Sequence, residues 1–399
     1  MSATLPKVDE LKISDQPVFS EFIRLNQRKH EYYTNANFAQ RVEFDFSLLS
    51  RDRKNSMEEI MNTLLQQSEN YAVEHEGRCW TLIEFIFKNS AAEFYEKIQS
   101  EALTRGFEIK MLSGTILEPV RKKIIYDLKK RASENEKTKI LLISTQVIEA
   151  GVDLDFDLGF KDTSIIDSDE QLAGRINRNA SKKGSKVFLF NYNDEYHVYR
   201  SDYRYRMQKQ ELDVETHSNI LKTKNFDKLY KPTLNFINEL NKSESRYGFI
   251  DFKSQVRNLS YACVHNEFKL IDQDTLSVFV NVEYDLTQYP IDQTLNLEKN
   301  GRIRGEDVFE RYCAIIENRD QDFIDKRISL TEIQGLMSNF IFSTYNTSKM
   351  RDKLISFSEN GKEKYGFWYI ANLFNASHNP IYTLEGGLNE KELADIQFI

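Results

Sequence analysis

The chain has few of the residues that mark disordered, secreted or membrane-spanning proteins. Its 399 residues include only 15 glycines and 6 prolines, which excludes a disordered or low-complexity protein. Cys79, Cys263 and Cys313 are odd in number and far apart, so they suggest neither a disulfide framework nor a zinc site. We expect buried thiols in a reducing cytoplasm. No run of roughly 18 apolar residues exists, and the first residues do not resemble a signal peptide.

Patterns for binding nucleotide phosphates or catalytic metals are also missing from the sequence. No segment has the G-x-x-x-x-G-K-[ST] spacing of a phosphate loop, since Gly361 and Lys362 are followed by Glu363. None of the 6 histidines is followed by aspartate, so the His-Asp pair of a metal-dependent nuclease is lacking. The formal net charge is −8, so any contact with DNA requires a local basic patch and not the charge of the whole chain.

Strands and helices alternate through the first half of the chain. Mostly apolar runs of strand length occur near residues 81–87, 108–112, 138–143, 158–161 and 186–190, and helical spacing separates several of them. Such alternation indicates βαβ units. The sequence therefore predicts an α/β fold with a parallel sheet over residues 41–200.

The second half of the chain lacks this alternation. We expect a linker helix and a smaller mixed accessory domain over 201–399, with helical segments near 201–241, 305–318 and 329–344. Ser329 and Glu332 fit a capping box at the start of the last of these helices.

Two segments contain the residues best suited to catalysis or ligand binding. In the first, an apolar strand runs into Ser144 and Thr145, and a turn at Gly151 then presents Asp153. In the second, Gln171 is followed by Gly174, Arg175 and Arg178, which we assign to a helix over 168–177. Because residues i and i+3 share one helical face, both arginines would reach the same anion. An arginine placed on a transferring phosphate can increase the rate by about 10³ to 10⁵.

The order and spacing of these segments resemble motifs V and VI of superfamily 2 helicases. The sequence from Ser144 to Asp157 is similar in particular to that of the signature helicase-nuclease of type I CRISPR systems. One departure is Leu172, which stands where the family has an arginine. The resemblance implies a RecA-like fold for residues 41–200, the second of the two RecA-like domains in such a motor.

The first residues resemble another motif of the same family. Ser2 and Thr4 belong to a Ser-Ala-Thr sequence similar to motif III, which in the family ends the first RecA-like domain and links ATP hydrolysis to strand movement. On this interpretation, residues 1–40 are a motif III remnant and a linker between domains. The resemblance then covers nearly the whole chain but only the C-terminal half of the family's architecture.

The resemblance implies a role for each residue of the two motifs in nucleotide binding. Arg175 and Arg178 would act on the γ-phosphate of ATP, and Gln171 would add a polar contact to the nucleotide. Asp153, beside Gly151, would lie near the ribose or couple ATP to the strand. ATP and Mg²⁺ would bind only with a first RecA-like domain that is supplied elsewhere.

The strand-binding residues implied by the resemblance follow the ends of predicted strands. Thr145 would contact a DNA phosphate, and Asn89 and Ser113 would contact the same backbone. Hydroxyls and amides at such positions hold phosphates without reading bases. Simpler interpretations remain open: a strand-terminating turn for Thr145, short polar loops for Asn89 and Ser113, and a solvated helix face for the two arginines.

Other residues also have more than one interpretation. Ser168 could cap the motif VI helix with Gln171 in the capping-box position. Asp155 and Asp157 look like a metal pair but follow the strand-to-loop transition of motif V, so we expect no metal there. The repeat of tyrosine and arginine over 203–206 suits single-stranded nucleic acid, or a linker that packs its aromatic rings on the sheet with its arginines outward.

Three functions are compatible with the sequence. The first is the helicase C-terminal portion of a CRISPR-associated, ATP-dependent translocase on single-stranded DNA, acting in antiviral interference with an RNA-guided surveillance complex. If this is a split-gene product, a separate chain would supply the first RecA-like domain and the nuclease; a frameshifted remnant and a truncated record fit the sequence equally. We expect this chain alone to lack ATPase activity. The second is a fragment of a general superfamily 2 helicase. The third is a non-enzymatic RecA-like binding module. We adopt the first, with no membrane partner.

Overall fold

The structure is a computed structural model, and it describes residues 8–13, 16–17, 28, 31, 35, 41–49, 54–149, 152–211, 213–242, 249–267, 274–355 and 364–393. Ser2 and Thr4 of the predicted motif III remnant lie outside these residues, as does Gly151 of motif V.

The largest sheet confirms the predicted parallel α/β fold. A short antiparallel pair, β1 (Lys12–Ile13) and β2 (Gln16–Pro17), comes first in the chain. The large sheet has six strands: β3 (Glu43–Asp45), β4 (Cys79–Glu84), β5 (Phe107–Leu112), β6 (Lys139–Ser144), β7 (Leu158–Asp162) and β8 (Lys186–Phe190). Their order is β3-β8-β7-β4-β6-β5, and every pair whose register is described is parallel.

Contacts divide the chain into two compact units. Unit 1 consists of Met1–Ser68 and Asp155–Asp272, and unit 2 consists of Glu69–Leu154 and Gln273–Ile399. Unit 1 contains β3, β7 and β8, and unit 2 contains β4, β5 and β6. The domain limits that we placed after residues 40 and 200 stay predictions.

The first strands alternate with three long helices, α1 (Met57–Glu74), α2 (Lys88–Thr104) and α3 (Glu118–Ser133). Every residue of β4 is buried, and so is every residue of β6 except Lys139. Burial on both faces explains why these strands are almost continuous apolar runs in the sequence, without the alternation of a sheet that faces water.

Unit 1 continues with seven helices in the described part of the chain. They are α4 (Ile166–Ala173), α5 (Tyr196–Tyr199), α6 (Tyr203–Glu211), α7 (Val214–Thr223), α8 (Asp227–Lys242), α9 (Phe249–Arg257) and α10 (Tyr261–Glu267). The expected helical segment over 201–241 is thus three consecutive helices. Asp213 begins α7 by accepting a hydrogen bond from the Thr216 amide at 2.7 Å, as an N-cap residue does.

Unit 2 also contains the accessory elements that follow residue 273. The strands are β9 (Thr275–Val280), β10 (Glu283–Asp285), β11 (Arg302–Arg304), β12 (Ile341–Tyr345), β13 (Trp368–Ile370), β14 (Tyr382–Thr383) and β15 (Gly387–Leu388). The helices are α11 (Gly305–Glu317), α12 (Phe323–Met337) and α13 (Ser348–Ile355). The sheet order β12-β9-β13 joins one antiparallel and one parallel pair, which agrees with the mixed domain expected.

One helix start was wrong in the sequence analysis. Helix α12 begins at Phe323, so Ser329 lies inside it and forms no capping box. Asp322 is the N-cap, because its carboxylate accepts a hydrogen bond from the Ile324 amide at 3.0 Å.

The cysteines only partly match the expectation of buried thiols. Cys79 and Cys313 are buried, but Cys263 is exposed on the short helix α10. All three are free thiols. Among the described residues, no helix combines the length and the apolar character needed to cross a membrane.

Candidate functional site

In unit 2, the carboxyl ends of three neighbouring strands are aligned at one edge of the sheet. Ser144, the last residue of β6, pairs with Glu84 at the end of β4 and with Leu112 at the end of β5. The residues that follow therefore emerge at one edge of the sheet, the edge where open α/β sheets bind ligands. This register brings the loops of Ser113 and Thr145 to the same edge.

Hydroxyl groups fix these two loops. Ser144 Oγ donates a hydrogen bond to the Leu112 carbonyl at 2.7 Å and lies 3.0 Å from the Thr145 carbonyl. Ser113 is fully buried, and its Oγ lies 3.1 Å from Thr115 Oγ1. Thr145 is also buried and precedes a single 3₁₀ turn that its side chain does not cap. Two of the three predicted strand-binding side chains are therefore covered within this chain.

The third predicted strand-binding residue, Asn89, is exposed near the start of α2. Its Nδ2 donates to Oε2 of Glu390 at 2.9 Å. The adjacent Lys88 Nζ lies 3.2 Å from Oε1 of the same carboxylate and donates to Thr344 Oγ1 at 2.6 Å. A carboxylate of the chain itself thus engages the side chain that we predicted to meet DNA.

The motif VI segment in unit 1 is not the helix that we predicted. Helix α4 ends at Ala173, so Arg175 and Arg178 lie beyond it and share no helical face. Nor does Ser168 cap this helix: it lies inside, and Ile165 occupies the N-cap without a side-chain hydrogen bond. The helical argument for the two arginines was therefore wrong, although their proximity along the chain is unchanged.

A backbone bridge replaces the last helical turn. Ile176 forms a parallel bridge with Phe156: the Phe156 amide donates to the Arg175 carbonyl at 2.9 Å, and the Asn177 amide donates to the Phe156 carbonyl at 2.8 Å. Asn177 adopts a φ of 44°, a left-handed conformation that ends a helix and that asparagine tolerates better than most residues. Arg175 and Arg178 therefore flank a fixed bridge, with Arg178 exposed.

Side chains around the bridge reinforce it. Asp155 Oδ1 accepts a hydrogen bond from the Arg178 amide at 2.9 Å. Lys182 Nζ lies 3.1 Å from Asp155 Oδ1 and 2.8 Å from Asp157 Oδ1. Asp155 and Asp157 thus hold an ammonium group. Among the described residues, no cluster of three or more His, Cys, Asp or Glu side chains is placed to bind a metal.

Arg41 is a contributor that the sequence analysis missed. Its Nη1 donates to the Ile176 carbonyl at 2.7 Å, on the segment between the two motif VI arginines. Burial lowers the pKa of this guanidinium, and the charges of Glu170 and Asp155 oppose that effect. No local pattern could have revealed it, because 135 residues separate the donor from the acceptor.

Three acidic residues of α4 are buried and paired with the helices that follow. Asp169 Oδ2 lies 3.0 Å from His217 Nε2, and Glu170 binds Lys224. The third, Asp167, is described below. These pairs hold α4 against the segment 203–230.

The third acid, Asp167, lies in the most polar of these networks. The Tyr230 hydroxyl donates to Asp167, and Arg204 lies 3.4 Å from its other oxygen while binding Asp202 at 2.6 Å. Burial raises the pKa of Asp167, and the bonds to Tyr230 and Arg204 offset this in part. For Arg204, burial opposes the charged form, but Asp202 and Asp167 outweigh it and raise the pKa. Arg204 therefore supports the motif VI helix. The linker interpretation placed the arginines of residues 203–206 outward, and for Arg204 this was wrong.

The other predicted nucleotide residues stay predictions. Gln171 is exposed on α4, and Asp153 is exposed between the buried Val152 and Leu154.

The fold and the two motif segments define a class, the second RecA-like domain of a helicase. Residues 85–181, which span the strand-end loops and motif VI, match the family model described as the C-terminal part of the CRISPR-associated nuclease/helicase Cas3. A CRISPR-associated nuclease/helicase Cas3 of Methanothermobacter thermautotrophicus is 42% identical over 89 residues, which are 22% of this chain and 10% of that protein. Residues 85–181 are therefore similar to the C-terminal helicase portion of Cas3 proteins.

Two solved structures also align with much of this chain. A crystal structure of T. fusca Cas3 with ATP is 13% identical with a TM-score of 0.46, covering 87% of this chain and 41% of that one. A CRISPR RNA-guided surveillance complex before nicking contains a chain that is 13% identical with a TM-score of 0.44. This chain spans less than half the length of these relatives.

Proposed function

We propose that this chain supplies the second RecA-like half of an ATP-dependent motor that moves on single-stranded DNA in CRISPR antiviral interference. The observation that carries the proposal is that β4, β5 and β6 end at the same edge of the sheet. It gathers the loops of Ser113 and Thr145 at one edge, inside the segment that matches the Cas3 family model. Such an edge suits a sugar-phosphate backbone, because short hydroxyl side chains and backbone amides hold phosphates without reading the sequence.

The residues present fit one part of a nucleotide site. Arg175 and Arg178 would hold the phosphates of ATP from the fixed bridge in unit 1, and ATP would supply the γ-phosphoryl group that the motor transfers to water. A guanidinium presents a planar fork of donors that matches phosphate oxygens. The phosphate loop is absent from the sequence, and Asp155 and Asp157 hold Lys182. Mg²⁺ would therefore come with the first RecA-like domain.

The partners of the proposed motor follow from the family. Relatives in this family are named nuclease/helicases, and one similar structure is of a CRISPR RNA-guided surveillance complex. We propose that this chain acts with such a complex and with a separate chain that carries the first RecA-like domain and the nuclease. Three free thiols agree with a reducing cytoplasm, where we place the protein.

Two measurements on the purified chain test the proposal. Fluorescence anisotropy with a labelled oligothymidine across a salt series should give weak binding that falls as salt rises, since few phosphate contacts are available and counterion release sets the slope. ATP hydrolysis should be undetectable with or without DNA, because the groups that neutralise the phosphates are incomplete. Tight binding that does not change with salt, or turnover of ATP by contaminant-free protein, would contradict the proposal.

A further inference from the structure

A segment near the end of the described chain lies across the strand-end loops of unit 2. We call residues 381–390 the strap. Strands β14 and β15 form its hairpin, with Tyr382 paired to Leu388 and Thr383 to Gly387. The Tyr382 hydroxyl donates to the Thr115 carbonyl at 3.0 Å, and the Leu388 amide donates to Thr115 Oγ1 at 3.2 Å. The strap therefore binds the loop that carries Ser113.

The backbone of the strap lies in close contact with this loop at Gly387. Gly387 has a φ of 71°, and a Cβ at this position would lie 2.4 Å from Thr115 Oγ1. Any other residue would both clash and be strained here. Tyr382 is buried and stacks on Phe342 with 5.9 Å between ring centroids. The hairpin is thus a firmly packed part of unit 2.

The end of the strap differs from its hairpin because it is held mainly by charge. The Glu390 carboxylate receives Asn89 Nδ2 at 2.9 Å and lies 3.2 Å from Lys88 Nζ, while its backbone carbonyl accepts from Lys353 Nζ at 2.8 Å. Lys88 and Glu390 keep 23% and 14% of their side-chain surface exposed. A partly exposed ion pair contributes little net stability, so this end can separate at small cost while the hairpin stays packed.

Two ammonium groups contact Glu390: Lys88 Nζ at its carboxylate and Lys353 Nζ at its backbone carbonyl. Burial lowers the pKa of Lys353, the Glu390 charge opposes this, and the nearby charges of Lys349 and Lys88 lower it further. A backbone phosphate carries one negative charge, as a carboxylate does, so a strand that passes the strand-end loops would meet the same attraction at this place.

We propose that the strap is an internal competitor of single-stranded DNA, in which the Glu390 carboxylate occupies the place of a backbone phosphate at Lys88 and Asn89. The inference rests on the proposed strand-binding function of the same edge and adds its regulation. Carboxylate and phosphate both present oxygen acceptors to an ammonium and an amide. Binding of a strand displaces Glu390 from Lys88, and closure of the strap returns the edge to a low-affinity state.

The test measures binding of a labelled oligothymidine of about 20 nucleotides to the unmodified full chain and to its variants, by fluorescence anisotropy across a salt series. Glu390→Gln keeps the size of the side chain and removes its charge. We expect this variant to bind about three- to five-fold more tightly than the unmodified chain, because the strand no longer has to separate a partly exposed ion pair. The slope of log K against log salt should become steeper by about 0.7, the value for one further phosphate contact on a single strand.

Glu392→Gln is the matched control. It removes the same charge two residues away, where Glu392 Oε2 accepts from Asn375 Nδ2 at 2.7 Å and from Asn379 Nδ2 at 2.9 Å. We expect its affinity to stay within about two-fold of the unmodified chain, because it makes no ion pair with Lys88. A gain as large as that of Glu390→Gln would show that net charge alone acts, and would overturn the proposal.

A double variant tests whether the gain in affinity depends on Lys88. In Lys88→Ala, the substitution Glu390→Gln should bring little further gain, because the ammonium that it would release is gone. A full gain in that background would overturn the assignment to Lys88. Unchanged affinity in Glu390→Gln, with salt-sensitive binding by the unmodified chain, overturns the competitor and leaves the proposed function intact. If neither form binds while both unfold cooperatively, the proposed function fails, and this inference fails with it.

Discussion

Each unit contains one candidate site, and each site is contacted by elements that lie later in the chain, but the contacts differ in kind. In unit 1, the later helices bind Asp167, Asp169 and Glu170, which are buried acids beside the motif VI arginines. In unit 2, the strap binds the partly exposed Lys88 and the candidate residue Asn89. We attribute the positioning of a neighbouring group to the contacts on the buried acids of α4, and the occupation of a ligand's place to the contacts on Lys88 and Asn89.

This difference has an energetic basis. Removing one partner from a buried pair leaves a charge without compensation in the interior, which costs several kcal/mol, about 3–5 in measured cases. Separating a partly exposed pair costs about 0.2–1 kcal/mol. We therefore expect substitutions in unit 1 to act on stability and turnover, and substitutions at the strand-end edge to act on affinity for DNA.

The largest effect should come from Arg178. With a partner chain that carries the phosphate loop, Arg178→Ala should reduce DNA-stimulated ATP hydrolysis by about 10³-fold or more, because the guanidinium acts on charge that develops on the transferring phosphate. Binding of oligothymidine should hardly change. Arg178→Lys should also fail largely, since an ammonium lacks the planar fork. Steady-state ATPase assays of the reconstituted pair measure both variants.

Arg206→Ala is the control for Arg178, since Arg206 is an exposed arginine of α6 whose guanidinium lies 5.6 Å from the Tyr203 ring centroid. It should keep turnover within about two-fold of the unmodified pair, the range usual for exposed side chains away from a site. Normal turnover by Arg178→Ala would show that the arginine assignment, and the role that we give to the bridge, is wrong.

His217 should produce the second largest effect. His217→Ala removes the partner of Asp169, whose carboxylate is fully buried and whose Oδ1 has no hydrogen-bond partner among the described residues. We expect the free energy of unfolding to fall by about 3 kcal/mol. Urea denaturation of the purified chain measures it. His265→Ala, at an exposed position on α10, should cost less than about 0.5 kcal/mol. Equal losses in the two variants would contradict a positioning role for the Asp169 pair.

The fold could be predicted further than the site. The apolar runs at β4 and β6 are visible in the sequence because both faces of these strands are buried, and hydrophobic pattern is a local signal. The motif sequences also drew attention to the loops that follow β5 and β6, which the strand register brings to one edge of the sheet. Helix α4 was predicted two residues late at its start and several too long at its end. Its end depends on a bridge between Ile176 and Phe156, which no local pattern contains.

The contacts that distinguish the two units could not be predicted from the sequence. Asn89 and Glu390 are 301 residues apart in the chain, and His217 and Asp169 are 48 apart. Isolated carboxylates and histidines on polar segments are usually solvated, so sequence pattern favours exposure for all of them. Only the packing of α7 on α4, and of the strap on the strand-end loops, pairs these groups.

A smaller effect, on pH dependence, should come from Asp167. Burial raises its pKa above the ordinary value of 3.8, so the folded chain binds a proton that the unfolded chain has already released. The free energy of unfolding therefore decreases as pH rises through the raised pKa, and this contribution is fully present only below about pH 3.8. Asp167→Asn should flatten that part of the profile. Urea denaturation between about pH 4 and 8 measures it.

The matched control for Asp167 is Glu215→Gln, at an exposed position in the first turn of α7. Its profile should run parallel to that of the unmodified chain. A profile of Asp167→Asn that also runs parallel would mean that other groups set the pH dependence of the fold.

The smallest effect should be at Thr145, and it tests the strand-end edge directly. If its hydroxyl or its fixed loop meets a phosphate, Thr145→Ala should weaken binding of oligothymidine by about five-fold, the loss of one hydrogen bond of about 1 kcal/mol. The salt slope should not change, because threonine carries no charge and releases no counterion. Thr138→Ala is a close control, since Thr138 adjoins the opposite end of β6 and its Oγ1 has no hydrogen-bond partner among the described residues. It should leave affinity unchanged. Equal affinity of the two variants in anisotropy would mean that Thr145 does not contact the DNA backbone. DNA would then have to bind this edge of the sheet through Lys88 and Asn89 alone.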